Sequence, residues 1–179
     1  WFFDEISGIE TVQVMLYAAR VMQLAHDVGG IDLEPAYMKI LQRAPSNIPD
    51  LESGAAAYER YVKPAVVDLL RVGAHYAVTS LFEEELRSPV DVYSYQVHSE
   101  SFEIIELGRQ RLVMGKANLK STITGEQLPL HFSVLHLGDQ NLLGGVRSHM
   151  ELKEFKEVRD EIEQAFRRSN IAEVIALID

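Results

Sequence analysis

The apolar residues change their period from helical to strand-like near the middle of the chain, and that change decides the fold class. Up to Phe82 they recur at helical spacing. From Val90 onward Tyr93, Tyr95 and Val97 alternate with Ser94 and Gln96, the two-residue repeat of a strand. Glu83-Glu84-Glu85 and Ser88-Pro89 mark the switch. The pattern predicts an α+β chain: an N-terminal helical bundle segment over residues 1–88, then a small antiparallel β-sheet with two C-terminal helices over residues 89–179, packed together as one compact unit.

The first helix is predicted from about Ile9 to Val28. Ser7 and Glu10 have the spacing of a capping box at its start, and Gly29-Gly30 stops it. Val14, Ala18, Val21, Ala25 and Val28 make one apolar stripe, Val12, Leu16, Ala19 and Met22 a second, and only Gln13, Arg20 and Asp27 form a polar line. A helix apolar over most of its circumference is expected at the centre of a bundle. A short helix follows from Pro35 to Leu41, a loop at residues 46–50, and an Ala-rich helix from Gly54 to Tyr61. Pro64 breaks or kinks that helix, and Ala65 to Phe82 is expected to resume it, with Gly73, Ala77 and Ser80 admitting a neighbouring helix at close range.

In the second half, Thr124-Gly125-Glu126-Gln127 is a hairpin signal. A two-residue loop at Gly125-Glu126 pairs Leu119 with Phe132 and Ala117 with Val134, which puts apolar residues on one face of both strands. Lys120, Asn118, His131 and Ser133 occupy the other face, expected wet near the turn. Leu137-Gly138-Asp139-Gln140-Asn141 reads as the next turn, and Gly144-Gly145 as a bend or bulge. Phe155, Val158, Ile162 and Phe166 mark one closing helix. Asn170 with Glu173 caps the other.

Charge narrows the function classes. A net charge of −10 and a sequence pI near 5.1 argue against nucleic acid and anionic membrane as partners, since both call for clustered Lys and Arg. There is no cysteine, which removes disulfides, thiolate catalysis and Cys-based metal sites, and fits a reducing cytosol without requiring one. No run approaches the roughly 18 apolar residues of a membrane span. No phosphate cradle, dinucleotide fingerprint, zincin helix or nucleophile elbow is present. His131 and His136, five apart on one predicted strand, face opposite ways and cannot share a metal. His136 with Asp139 and Asn141 is the best polar cluster of the second half, although Asp and Asn are also ordinary turn residues. Asp4 and Glu5 form an acidic pair that would suit acid/base work on a glycosidic bond, although adjacent acids at a helix start more commonly serve its positive end. Trp1 and Phe2 offer flat faces either to the bundle or to sugar rings.

The opening Trp1-Phe2-Phe3-Asp4-Glu5-Ile6-Ser7-Gly8-Ile9-Glu10, with Ala74-His75-Tyr76-Ala77 and the run from Val134 to Leu142, resembles the C-terminal region of bacterial proteins related to glycoside hydrolase family 57. That region is catalogued as domain of unknown function 3536, and the likeness spans essentially the whole chain. The resemblance implies that a seven-stranded (β/α) barrel with the catalytic carboxylates belongs to the same polypeptide and that a helical bundle follows it. The first residue is Trp and the last ends an apolar helical run, so the chain is expected to be a piece of that longer, cytoplasmic protein.

By the same resemblance Trp1, Phe2, Asp4 and Glu5 line the barrel's carbohydrate site, with an α-glucan as ligand. Nucleophile and acid would lie on the barrel. The expectation is therefore a non-catalytic accessory module without cofactor or metal, inactive by itself in glycosidase or glucanotransferase reactions. A protein–protein interaction or oligomerisation module without sugar contact is the rival expectation, and a small enzyme centred on His136 and Asp139 ranks last.

Overall fold

The computed structural model describes residues 5–83, 88–148 and 150–179, the side chain of Leu152 excepted. Contacts divide the chain into two compact units, one ending at Val67 and the other beginning at Asp68. The α+β expectation holds, with helices before and after a five-stranded antiparallel sheet.

The first unit is built on helix α1 (Ile9–Gly29), α2 (Glu34–Leu41) and α3 (Gly54–Ala57), the last running on through a π-helical turn at Tyr58–Val62 into a 3-10 turn at Lys63–Ala65. The predicted capping box does not form. Gly8 is the N-cap without a side-chain bond, and the Ser7 N–H donates instead to the Glu5 carboxylate. At the far end Gly30 sits in the left-handed region (φ 66°), and the N–H groups of Gly30 and Ile31 close the helix on His26 and Ala25 carbonyls. The core contains Met15, Ala19, Met22, Leu41, Ala55, Tyr58 and Val62, with Tyr37 edge-on to Tyr58 at 5.8 Å. Burial, with the neighbouring Glu34 carboxylate, pushes the Tyr58 phenol up to about 12. Only one of the two predicted stripes of α1 enters that core. Val14, Tyr17, Val21 and Val28 are 50, 67, 62 and 72 % exposed, so α1 is not surrounded as a central bundle helix would be.

In the second unit the helix expected to resume at Ala65 starts at Leu69. The chain is extended at Val66 after the Pro64 turn, and the Asp68 carboxylate accepts from the Arg71 N–H at 2.8 Å to open α4 (Leu69–Ser80). This helix does not belong to the helical bundle segment, for its buried face (Leu69, Val72, Tyr76, Ala77) shares a core with the sheet. Gly73 admits strand rather than helix. A Cβ there would collide with Leu130 Cδ2.

Strands β1 (Val90–Val92), β2 (Tyr95–Leu107), β3 (Gln110–Ser121), β4 (Gln127–Gly138) and β5 (Asn141–Ser148) form a meander in that spatial order. The β3–β4 hairpin stands where predicted, but its register is four residues different: Leu119 faces Leu128 and Ala117 faces Leu130. Ser121 causes the change. Its hydroxyl accepts from the N–H of Ile123 and Thr124, and its N–H donates to the Glu126 carbonyl at 2.9 Å, so residues 121–126 close as a wider turn with Gly125 at φ 74°. An even shift keeps the same faces together, so the apolar side of the hairpin is unchanged.

One face of the sheet (Val97, Val113, Ala117, Leu119, Leu130, Phe132, Val134) packs on α4. The other (Ile105, Leu112, Met114, Leu135) packs on α5 (Leu152–Arg167) and α6 (Ile171–Ile178), giving a helix–sheet–helix sandwich. Gly144 and Gly145 lie within β5 and are not a bend. A Cβ on Gly145 would stand 2.7 Å from the Ile178 carbonyl oxygen, so glycine there lets the end of α6 meet the strand.

Candidate functional site

Of the lead-in residues, Trp1, Phe2 and Asp4 lie outside the described residues. Glu5 is half-buried, and its carboxylate is engaged within the protein. Oε1 accepts from the Ser46 hydroxyl at 2.7 Å and the Ser7 N–H at 3.0 Å, and Oε2 from the Asn47 N–H at 2.7 Å. The Ser46 hydrogen bond, helped by the two backbone donors and opposed by burial, holds the carboxyl down at about 2. A group so acidic is ionised throughout the neutral range and cannot deliver a proton as a general acid. Its evident work is structural: it ties the start of α1 to the 46–47 loop.

His136, Asp139 and Asn141 come together at the β4–β5 turn. Asp139 has φ 52° and Gly138 φ 106°, and Gly138 pairs with Asn141 across the turn. The His136 Nε2–H donates to the Asp139 main-chain carbonyl at 3.1 Å, and the ring lies edge-on to Phe82 at 5.9 Å. A histidine bonded to a main-chain oxygen steadies the turn. Among the described residues it has no carboxylate partner that would orient it as a base. His75 is exposed and lies beside Tyr93.

The site that sequence reasoning missed lies on the opposite face of β4. His131 points to the α5 side, as the five-residue spacing from His136 requires, yet it is 6 % exposed where a wet face was expected. Its ring stacks on Phe155 of α5 at 4.2 Å. Neither ring nitrogen has a hydrogen-bond partner among the described residues. Burial, reinforced by the Lys116 ammonium and opposed by Glu100, moves the imidazole below its ordinary value and keeps it neutral.

The ring lines a cavity of about 30 Å³ shared with Ser133, Arg147, Phe155, Arg159 and Ile162. Register builds this arrangement. Lys116, His131 and Arg147 lie directly opposite one another on β3, β4 and β5 and so share one face, while Arg159 comes from α5. Lys116 is paired with Glu100 at 2.7 Å and Arg159 with Asp160 at 2.6 Å. Among the described residues the Arg147 guanidinium reaches only the Ile178 carbonyl, at 3.4 Å. The available signal was the α5 stripe of Phe155, Val158, Ile162 and Phe166, which needs a surface to cover, and with α4 on one face of the sheet it covers the face carrying His131.

Among the described residues no group of three or more His, Asp or Glu side chains is placed to hold a metal ion, and no helix is long and apolar enough to cross a membrane. No curated protein and no solved structure matches the chain. The model of one protein family, described as a domain of unknown function (DUF3536), matches residues 1–179, and the chain belongs to that family.

Proposed function

We propose that the chain is a non-catalytic docking module, and that the outer face of α1 is the surface by which it docks. The observation that carries this is the placement of Val14, Tyr17, Val21, Leu24 and Val28. They recur at alternating steps of three and four along one side of α1, and all but the half-buried Leu24 are at least half exposed. That is the spacing by which one helix seats against another. With 21 residues at about 1.5 Å each, the helix presents a seam roughly 30 Å long. Under the resemblance to proteins related to glycoside hydrolase family 57, the partner is a helix on the outside of the (β/α) barrel in the same polypeptide. In that setting the module carries Trp1, Phe2 and Asp4 toward the barrel's α-glucan groove, while Glu5 anchors the lead-in.

Val21→Glu in the barrel-bearing protein tests the reading. The substitution is on an exposed position and should leave the helical content and melting of the isolated chain unchanged. Hydrogen exchange of the barrel helix that α1 covers should rise, and unchanged protection there would refute the docking surface. The isolated chain should show no turnover of an α-glucan, and measurable turnover would refute the non-catalytic assignment.

A second reading, self-association through the same seam, is favoured by one feature. When two copies of α1 run antiparallel with Val21 packed on Leu24 of the other copy, Arg20 falls beside the other copy's Asp27 on one flank, and Ala18 beside its Ala25 on the other.

A further inference from the structure

We propose that the cavity under His131 is a binding site for the oxyanion group of a small acidic ligand, a carboxylate or a phosphate, held by the imidazole N–H together with the guanidinium groups of Arg147 and Arg159. The inference is independent of the docking role of α1.

Three observations converge on it. The His131 side chain is more than nine-tenths buried, its ring nitrogens have no hydrogen-bond partner among the described residues, and the residue lines a cavity. Such groups are costly unless something in the site satisfies them. Two arginines from separate elements reach the same cavity, and each keeps N–H donors beyond those it spends on Ile178 and Asp160. Lys116 and Arg147 also flank the neutral His131 directly across the sheet. Glu100 answers Lys116, and Asp160, Glu103 and Glu163 act on Arg159, which leaves Arg147 without a carboxylate among the described residues.

Size selects the kind of group. The cavity is small, about 30 Å³, and so suits a compact group such as a carboxylate or a phosphate rather than a bulky one. The remainder of the ligand would lie outward past Arg147, which is exposed. A neutral imidazole supplies one N–H donor, and the guanidinium forks supply the charge and the planar geometry that oxyanions match.

The test is titration of the 179-residue chain with inorganic phosphate and, separately, with acetate, read by the His131 ring resonances. Saturable shifts with a Kd below about 10 mM are expected for at least one of them. Tighter binding of phosphate assigns a phosphate ligand, and tighter binding of acetate a carboxylate. The exposed Arg147→Gln should weaken the preferred anion about tenfold, the worth of one hydrogen bond to a charged group. His131→Phe, which keeps the stack on Phe155, should weaken it while leaving the melting temperature near that of the parent chain. Absence of saturable shifts with both anions, or equal affinity in the parent chain and Arg147→Gln, overturns the proposal.

Discussion

At the scale of single residues, the state of a polar side chain in this protein is decided by its surroundings rather than by residue type. Glu5 and His131 are the two clearest cases and they run in opposite directions. Glu5 collects three donors and is held ionised, whereas His131 is buried beside the Lys116 ammonium and is held neutral. The Glu5 case yields a pH prediction with a definite sign. Its folded-state value of about 2 lies below the ordinary 4.5, so the unfolded chain binds the proton more readily. The stabilisation is fully present above about 4.5 and disappears as pH falls toward 2. Glu5→Gln should therefore melt lower than the parent chain at pH 7, with the gap between the two closing across that window. A gap that stays constant from pH 7 to pH 2 would show that the carboxylate charge is not what ties α1 to the Ser46–Asn47 loop. Neither residue's role was visible in sequence, because two of the three donors on Glu5 come from more than forty positions away and the cover on His131 comes from a helix after the sheet.

At the scale of elements, what was legible is what depends on local chemistry and on parity. The change of period gave strands after residue 88, Gly30 ended α1 as a left-handed cap, and Asn170 opens α6 with its side chain on Glu173. The hairpin shows the limit. Alternation determines which face a residue takes but is blind to an even shift, so the turn alone sets the register, and Ser121 chose a wider turn. The same blindness hides the irregularity between Ser99 and Ser101 in β2, which carries the α4-facing positions from odd numbers (Val97) to even ones (Phe102, Ile104). Apolarity likewise cannot say what a helix packs on, and α4 was assigned to helices when its partner is the sheet. The meeting of α6 with β5 is the most exacting contact between elements. Gly145→Ala places a carbon 2.7 Å from the Ile178 carbonyl oxygen, a main-chain atom that moves only if the end of α6 moves. The substitution should cost about 1–3 kcal/mol. Chemical denaturation reads it, and a loss below a few tenths would mean that α6 is loosely seated.

At the scale of the whole molecule, two properties oppose each other: an apolar seam on α1 that favours association and a net charge of −10 that resists it between like copies. The Debye length is about 8 Å at 0.15 M salt and about 3 Å at 1 M, so repulsion between copies fades with salt, while burial of valine and leucine side chains does not. The isolated chain should accordingly scatter light as a monomer of 20.2 kDa in dilute salt and move toward a dimer as salt is raised. Val21→Glu should stay monomeric across the same range, because it places a carboxylate at the middle of the seam, where two copies would bring the charges together and desolvate them. Arg20→Glu separates the antiparallel arrangement from others, since it sets like charges against Asp27 of the other copy and should weaken the dimer without altering the fold. A parent chain that remains monomeric at high salt would reserve the seam for a partner of different shape, as a barrel helix would be. A dimer indifferent to both substitutions would remove α1 as the docking surface.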